Sequence, residues 1–277
     1  MTVSVIVPAA GSGTRLGESV PKAFVDLGGR TILEICVAGI VEAAVADTVI
    51  VVVPADLIDD ARRLVPDAVV VAGGAHRSES VRAGIEASGR NSDIVLVHDA
   101  ARPLTPPAMF ARVVDAVQAG HPAVVPGLPV ADTLKQIDPD ISGPAPERVV
   151  RTVDRELLRA IQTPQGFTRA ALAQAHADDS GLATDDAGLA ERCGIPVHVV
   201  PGDPLAFKIT TPWDLRIARD IVAAESTPAG RVVDERSEET SAGRVVDERS
   251  EDLFAGRVVD ERSEETYRDH APERGRR

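Results

Sequence analysis

The sequence predicts an α/β fold in which helices cover a mostly parallel β-sheet. Short apolar runs alternate with helix-like segments along the chain, as they do in proteins built from strand–helix–strand units. The first of these runs, Val3 to Val7, is almost entirely apolar, which is typical of a strand buried on both faces. Hydrophobic residues make up 44% of the 277 residues but aromatic residues only 3%, so the core is predicted to be aliphatic.

Five further apolar runs predict the remaining strands of the sheet. They are rich in Val, Ile and Ala, and they cover residues 48–53, 68–72, 94–97, 123–126 and 197–200. The segments between them have the length and apolar spacing of helices, which are predicted at 32–46, 56–64, 78–87, 107–119, 168–177, from about 184 and at 211–225. Thr31 immediately precedes the first helix and is expected to cap its N-terminus.

The regular alternation of strands and helices breaks between residues 130 and 153. This segment contains the Pro-, Gly- and Asp-rich stretch DPDISGPAPE, which is followed by the β-prone run Arg148 to Val153. We expect a two-stranded β-arm that is too small to be stable alone. Such an arm normally packs against another surface, and a second subunit is the natural candidate.

The composition changes abruptly after Pro228. AGRVVDERSEE occurs at 229–239 and 255–265 and AGRVVDERSED at 242–252, which gives a period of 13 residues. Each repeat offers only a Val-Val pair for burial, too little to offset an ordering entropy of about 1–2 kcal/mol per residue. We therefore expect a folded domain over 1–226 and a disordered, acidic repeat tail over 227–277, with a binding role for the tail left open.

Net charge and cysteine content exclude several classes of protein. The formal net charge of -13 argues against a nonspecific nucleic-acid or membrane surface, because both need basic patches. Cys36 and Cys193 have the spacing of neither a metal site nor a disulfide framework, so we expect two reduced thiols in a cytoplasmic protein. Apolar runs stay below about 18 residues and the N-terminus lacks a charged leader, so neither a membrane span nor a signal peptide is expected.

A glycine-rich loop, PAAGSGTRLGESVPK at 8–22, follows the first predicted strand. Its glycines follow the pattern G-x-G-x-x-x-G, one residue longer than the dinucleotide fingerprint, and the Gly-Lys-Ser/Thr ending of a P-loop is absent. Arg15 and Lys22 place two cations in this loop. Converging backbone N–H groups together with these cations can bind a triphosphate without a basic protein overall.

This loop resembles the signature loop of the sugar-nucleotide pyrophosphorylase superfamily. Its pattern A-A-G-x-G-x-R-x-G followed by P-K is particularly similar to the 2-C-methyl-D-erythritol 4-phosphate cytidylyltransferase family of the non-mevalonate isoprenoid pathway. Further stretches match that family in order: GGAHRSESV at 73–81, VHDAARP at 97–103, ADTLK at 131–135, TVDR at 152–155, TPQGF at 163–167, ATDDA at 183–187 and FKITTPWDL at 207–215. The resemblance covers about residues 2–225.

The resemblance implies a fold, a reaction and an assembly. The fold is a Rossmann-like nucleotidyltransferase fold with a protruding β-arm. The reaction transfers CMP from CTP to 2-C-methyl-D-erythritol 4-phosphate with release of pyrophosphate. The family's arm crosses to the other subunit, and Thr133 and Arg155 lie at its two ends, so the resemblance also implies a homodimer with composite active sites.

The resemblance further implies roles for individual residues. Arg15 and Lys22 match the family's transition-state stabilisers, and Asp99 matches a residue that holds Mg²⁺ against the phosphates of CTP. CTP is expected to contact Ala9, Ala10, Gly11, Gly13, Gly74, Ser80, Asp99, Ala100 and Arg102. Methylerythritol phosphate is expected to contact Thr133, Arg155, Thr163, Thr184 and Lys208, of which Arg155 and Lys208 align it for attack.

Three alternatives remain open from the residues themselves. The enzyme closest to this interpretation uses CTP with another polyol phosphate, such as ribitol 5-phosphate, which also presents one phosphate and several hydroxyls. From a different class, the chain would be a non-catalytic nucleotide-binding module whose tail recruits partners. A second metal ligand at Asp203 also stays open, since the residues before Lys208 depart from the family's pattern.

Overall fold

The computed structural model describes residues 1–11, 16–18, 20–138, 146–177 and 185–226. All of them lie in the first of two units into which the chain divides, Met1–Ala229. The predicted repeat tail lies outside the described residues, and so do three of the predicted site residues: Gly13, Arg15 and Thr184.

The described elements alternate between strands and helices, as the sequence predicts. The ten strands in these residues are β1 Val3–Pro8, β2 Thr48–Val53, β3 Val69–Ala72, β4 Ile94–Val97, β5 Ala123–Pro129, β6 Lys135–Ile137, β7 Val149–Thr152, β8 Arg159–Ile161, β9 Gln165–Thr168 and β10 Val197–Pro201. The helices are α1 Ile32–Glu42, α2 Ile58–Leu64, α3 Arg77–Ala87, α4 Pro107–Gln118, α5 Arg169–Ala175, α6 Asp186–Arg192 and α7 Pro212–Ser226. Short 3₁₀ helices cover Lys22–Phe24, Ala55–Leu57, Arg155–Leu157 and Pro204–Ala206.

The main sheet has the strand order β3-β2-β1-β4-β9-β5-β10, and β8 pairs with β5. The pairs β3–β2, β2–β1, β1–β4 and β5–β10 are parallel, whereas β9 runs antiparallel to both of its neighbours, β4 and β5. The prediction of an α/β fold with a mostly parallel sheet is confirmed. Because most strands share one direction, their carboxyl ends meet at one edge of the sheet, which is where ligands bind in open α/β sheets.

The hydrophobic core lies on both faces of the sheet. Val5 and Val7 of β1 pack with α1 and α4 on one face, while Ile6 packs with α3 and α5 on the other. Both faces of β1 are therefore buried, which explains why its sequence is apolar rather than alternating. A third cluster, which includes Leu27 and Leu215, packs α7 against the start of α1.

Helix α1 begins where the sequence predicts and ends earlier. The hydroxyl of Thr31 accepts the N–H of Glu34, whose carboxylate accepts the N–H of Thr31, so a capping box fixes the N-terminus. The predicted end at residue 46 is wrong, because the helix stops at Glu42. Ala44 has a φ of 52°, in the left-handed region that an α-helix does not use.

Strands β8 and β9 were not expected from the sequence. Gly166 in β9 passes so close to α4 that an added Cβ would collide with the side chain of Val113. Gly166 weakens the β-propensity of this short run, and its close approach to α4 shows that packing places β9 in the middle of the sheet.

The predicted arm contains a separate two-stranded antiparallel sheet, β6 and β7, which pair with Lys135 opposite Thr152. Val149 and Val150 of this arm are 52% and 54% exposed, respectively. The arm therefore exposes apolar side chains on a sheet that is too small to be stable alone.

Two further observations concern the whole described region. Both cysteines are free thiols, and Cys36 is buried in the core. Among residues that the structure describes, none of the helices combines the length and the apolar character needed to cross a membrane.

Candidate active site

A cavity of about 340 Å³ opens at the carboxyl ends of β1, β3 and β4. Most of its wall comes from the turns that follow these strands, and the rest from Lys22 and the segment after β10. Nine predicted site residues line it: Ala9, Ala10, Gly11, Lys22, Gly74, Ser80, Asp99, Ala100 and Lys208. These residues are far apart in sequence, and the parallel sheet brings them together.

Asp99 is surrounded by cations. The ammonium group of Lys208 donates to Oδ2 of Asp99 at 2.8 Å, and the guanidinium groups of Arg77 and Arg102 lie 3.6 Å and 3.9 Å from the same carboxylate. Burial alone would raise the pKa of Asp99, but these cations lower it to about 2. The carboxylate is therefore ionised at neutral pH. Asp186 also pairs with Arg77, so three cations face two carboxylates, which leaves local positive charge at the cavity of an acidic protein.

A chain of hydrogen bonds fixes the backbone at Asp99. The N–H of Asp99 donates to Oγ1 of Thr163 at 3.0 Å, and Oγ1 lies 3.0 Å from Nδ1 of the buried His98. Nε2 of His98 lies 3.3 Å from the carbonyl oxygen of Arg102, which only accepts, so Nε2 carries the proton and Nδ1 accepts from Thr163. Burial lowers the pKa of His98 to about 4, so the ring is neutral at physiological pH.

Thr163 was predicted to contact the substrate. In the structure it is buried, and its hydroxyl both accepts from Asp99 and donates to His98. It does not line the cavity. Its described role is to connect the start of β9 to the turn after β4, and its contact with substrate stays a prediction.

Hydrogen bonds from other parts of the chain to the backbone beside Lys208 hold this residue in place. A guanidinium N–H of Arg102 donates to the carbonyl of Ala206 at 2.6 Å, and the N–H of Ile209 donates to the carbonyl of Ala101 at 2.9 Å. Lys22 also reaches this segment, since its ammonium group donates to the carbonyl of Ile209 at 2.7 Å. The three hydrogen bonds fix the backbone on both sides of Lys208, so two predicted cations, Lys22 and Lys208, lie on one wall of the cavity.

The turn after β3 lies close to the turn after β1. A Cβ added to Gly73 would lie 2.6 Å from Oγ of Ser80 and 3.2 Å from Cβ of Ala10, so this approach requires glycine. Ser80 is buried, and its hydroxyl donates to the carbonyl of His76 at 3.3 Å. The predicted contacts of Gly74 and Ser80 with cytosine stay predictions.

Thr133 and Arg155 are at the base of the arm, outside the cavity of the same chain. Thr133 is exposed, and Arg155 donates to the carbonyl of Ala131 and lies 3.8 Å from Glu156. Neither residue lines the cavity described above. Their predicted contact with methylerythritol phosphate stays a prediction.

Arg77 and Asp186 are site residues that the sequence reasoning did not single out. Arg77 lines the cavity, and its guanidinium donates to Oδ2 of the buried Asp186 at 2.7 Å. Both residues lie inside stretches quoted above, GGAHRSESV and ATDDA. The sequence does indicate that Arg77 needs a partner. Arg77 is in the first turn of α3, where a cation opposes the helix macrodipole and is stabilised by a nearby negative charge.

Asp99 has the properties of a Mg²⁺ ligand, since it is an ionised, hard oxygen donor that lines the cavity. No group of three or more His, Cys, Asp or Glu side chains within the described ranges could hold a metal ion. Mg²⁺ commonly uses one or two protein carboxylates and completes its shell with phosphate and water oxygens, so Asp99 fits it. Asp203 caps the 3₁₀ helix at Pro204–Ala206 by accepting the N–H of Leu205 at 2.8 Å.

Comparison with known sequences agrees with the motifs. The model of the 2-C-methyl-D-erythritol 4-phosphate cytidylyltransferase family matches residues 3–224. A relative of that name from Rhodococcus jostii is 53% identical over 221 residues, which cover 79% of this chain and 95% of the relative. Another from Nocardia farcinica is 53% identical over 224 residues, which cover 80% of this chain and 94% of the relative.

Solved structures agree with the fold. The crystal structure of 2-C-methyl-D-erythritol 4-phosphate cytidylyltransferase from Thermus thermophilus is 40% identical, with a TM-score of 0.64, over 80% of this chain and 100% of that one. The structure of 4-diphosphocytidyl-2C-methyl-D-erythritol synthase from Anaerococcus prevotii is 29% identical, with a TM-score of 0.70, over 80% of this chain and 96% of that one. The matched part of this chain contains the cavity and the arm.

Proposed function

We propose a mechanism for this cavity on the premise that the chain belongs to the 2-C-methyl-D-erythritol 4-phosphate cytidylyltransferase family. It is a nucleotidyltransferase that transfers CMP from CTP to 2-C-methyl-D-erythritol 4-phosphate. The products are 4-diphosphocytidyl-2-C-methyl-D-erythritol and pyrophosphate. The observation that carries our assignment of the site is the group of three cations around Asp99 at the carboxyl edge of the sheet.

CTP binds with its triphosphate beside Asp99 and its base toward the turn after β3. Glycines at 11, 13 and 74 and alanines at 9, 10 and 100 allow backbone groups to approach the nucleotide closely. Ser80 reads the cytosine, and Arg102 adds positive charge near the phosphates. The excess of cations at the cavity supports this placement, because a triphosphate needs neutralisation that the acidic surface does not supply.

Asp99 would hold Mg²⁺ beside the phosphates of CTP. Its ionised carboxylate and its place in the cavity wall support this role. The ion supplies charge neutralisation for the phosphates. Lys208 donates to Asp99, and we assign it a second role, alignment of the phosphate of methylerythritol phosphate.

The reaction is an in-line displacement at the α-phosphorus of CTP. An oxygen of the methylerythritol phosphate attacks this phosphorus and forms a new P–O bond. The bond between the α-phosphorus and the oxygen that bridges it to the β-phosphorus breaks, and the bridging oxygen keeps the electron pair. The β- and γ-phosphates leave together as pyrophosphate. The attacking phosphate is already anionic, so no general base is needed. Arg15 and Lys22 neutralise charge in the transition state, while Arg155 and Lys208 with Thr133, Thr163 and Thr184 hold the acceptor.

The active unit is a homodimer that assembles through the arm. Thr133 and Arg155 lie outside the cavity of their own chain, and the arm exposes apolar side chains. Both observations support a site that a second chain completes. The cytoplasmic location expected from the cysteine content stays a prediction.

Pyrophosphate release tests the reaction and its metal. Purified protein with CTP and methylerythritol phosphate is expected to release pyrophosphate with Mg²⁺ and to lose most of that rate when EDTA removes the metal. A parallel assay with ribitol 5-phosphate distinguishes the two acceptors. Faster turnover of ribitol 5-phosphate would overturn the acceptor, whereas CTP binding without release from either acceptor would favour a non-catalytic binding module.

A further inference from the structure

A buried ion pair joins α3 to α6 behind the cavity. Arg77 donates to Oδ2 of Asp186 at 2.7 Å, across 109 positions of sequence. The side chain of Arg77 is 34% exposed and lines the cavity, whereas that of Asp186 is fully buried. The part of the Arg77 guanidinium that bonds Asp186 is therefore shielded from water, while its exposed part lines the cavity, where a ligand can reach it.

Asp186 competes with Asp99 for the same guanidinium. The nearest oxygen of Asp99 lies 3.6 Å from Arg77, beyond hydrogen-bond distance, while the bond to Asp186 has the length of a charge-assisted hydrogen bond. Asp186 thus holds Arg77 away from full pairing with Asp99. The guanidinium keeps N–H groups for another anion, since it has five donors.

Asp186 itself is held firmly. Nε2 of His176 lies 3.0 Å from Oδ1 of Asp186, and an ionised carboxylate only accepts, so His176 donates. The buried Gln165 of β9 fixes the first turn of α6, because its amide donates to Asp185 at 2.7 Å and accepts the N–H of Ala187 at 3.0 Å. A buried carboxylate with this many partners is a rigid anchor and not a mobile surface group.

We propose that Asp186 is a positioning residue that holds Arg77 at the cavity wall, where the guanidinium binds a phosphate of CTP. Arg77 lies on the same turn and helix as Gly74 and Ser80, which places it on the nucleotide side of Asp99. Lys208 lies on the acceptor side. Asp186 is therefore expected to affect the affinity for CTP and to leave the affinity for methylerythritol phosphate nearly unchanged. This inference rests on the proposed placement of the two substrates.

The experiment measures Kd for CTP with Mg²⁺ by isothermal titration calorimetry, and KM for each substrate separately. Asp186→Asn is expected to raise Kd and KM for CTP about tenfold, the effect of one lost hydrogen bond to a charged group. The KM for methylerythritol phosphate is expected to change less than twofold. Asp59→Asn is the control: it makes the same change at an exposed side chain of α2 that lies outside the cavity wall, so its Kd is expected to stay within twofold of wild type.

A double-mutant cycle separates positioning from a general structural role. Arg77→Gln alone is expected to raise Kd for CTP at least as much as Asp186→Asn. If Asp186 acts through Arg77, adding Asp186→Asn to Arg77→Gln leaves Kd unchanged. A further rise in the double variant, or an equal rise in KM for both substrates, would overturn the proposal.

The design also covers failure to fold and failure of the proposed function. The single variant Asp186→Asn leaves the charge of Arg77 without its partner, so this variant is the one at risk of not folding. In that case the Kd values of Arg77→Gln and of the double variant, in which both charges are removed, would still decide whether Asp186 acts through Arg77. The Kd for CTP is measured without methylerythritol phosphate. A wild-type protein that binds CTP but does not turn over methylerythritol phosphate would therefore overturn the acceptor assignment, and its Kd values would still test the role of Asp186 in CTP binding. A wild-type protein that did not bind CTP would overturn both.

Discussion

The ammonium group of Lys208 lies 2.8 Å from Oδ2 of Asp99, so the predicted acceptor cation and the predicted metal ligand are hydrogen-bonded to each other. The FKITTPWDL stretch thus meets the VHDAARP stretch directly, 109 positions apart. Lys208 balances part of the charge of the carboxylate to which we assign Mg²⁺. Variants of either residue should therefore affect more than one step.

Asp99→Asn should lower kcat strongly. The substitution removes the charge that pairs with Lys208 and to which we assign Mg²⁺, and loss of one preorganised electrostatic contact costs about 10²–10³-fold in kcat. Initial rates of pyrophosphate release at saturating substrates measure the effect. Asp59→Asn is the control, since Asp59 is 85% exposed and pairs only with Arg62 among the described ion pairs. Equal rates for the two variants would contradict the assignment of Asp99.

Arg15→Ala and Lys22→Ala should each lower kcat on the order of 10²–10³-fold, because both cations are assigned to the transition state. The KM values should change much less, since contacts that form in the transition state affect kcat more than ground-state binding. Arg62→Ala, at an exposed position of α2, serves as the control. A normal kcat in either of the first two variants would exclude that residue from the transition state.

The unfolding free energy should depend on pH through His98. Its pKa is about 4 in the folded protein and 6.5 in an ordinary environment, so the unfolded chain binds more protons between these values. Stability therefore falls as the pH drops, by about 2 kcal/mol between pH 7 and pH 5 from this residue.

Urea unfolding of wild type and His98→Asn at pH 7 and pH 5 tests this expectation. Other groups titrate in both proteins, so the informative quantity is the difference between their pH dependences. The variant should lose less stability than wild type over this range. Identical losses would show that His98 does not supply the effect.

Val149→Asp should weaken the dimer, because it places a charge on the exposed apolar face of the arm. Light scattering after size-exclusion chromatography should show a shift toward monomer, with a fall in kcat/KM for methylerythritol phosphate. Val41→Asp introduces the same charge at another exposed valine, outside the arm, and should leave the mass unchanged. A dimer of unchanged stability in Val149→Asp would argue against assembly through the arm.

Removal of the repeat tail after Glu225 should leave turnover within twofold of the full chain. The family resemblance and the family match both end before the repeats begin. The full-length protein from the same preparation serves as the control in the pyrophosphate assay. A collapse in the rate of the truncated protein would refute the interpretation of the tail as a separate appendage.

Much of the fold could be predicted because local sequence and tertiary structure agree. Ile94–Val97 and Thr48–Val53 have the predicted limits, since their apolar β-branched residues suit a strand buried on both faces. Thr31 caps α1 as expected, because a capping box is encoded within four residues. Strand β9 was missed because its place in the sheet depends on the fit of Gly166 beneath α4, which no local pattern records.

The site was predictable in part for the same reason. Motif residues just after strand ends, such as Gly74 and Asp99, could be expected to lie together because parallel strands gather their carboxyl ends at one edge. The pairing of Arg77 with Asp186 could not, since the two residues are 109 positions apart and lie on different helices. The buried hydrogen bonds of His98 were likewise hidden, because a lone histidine in a sequence does not indicate its partners.

The reversed direction of β9 has a consequence for how the chain tolerates change. Because β9 runs against β4, the residue just before it, Thr163, bonds the residue just after β4, Asp99, although 64 positions separate them. The intervening polypeptide contains α4, β5, the arm and β8, and the hydrogen bond between Thr163 and Asp99 joins its two ends. Insertions or deletions between β6 and β7 should therefore leave Thr163 and Asp99 in hydrogen-bond contact.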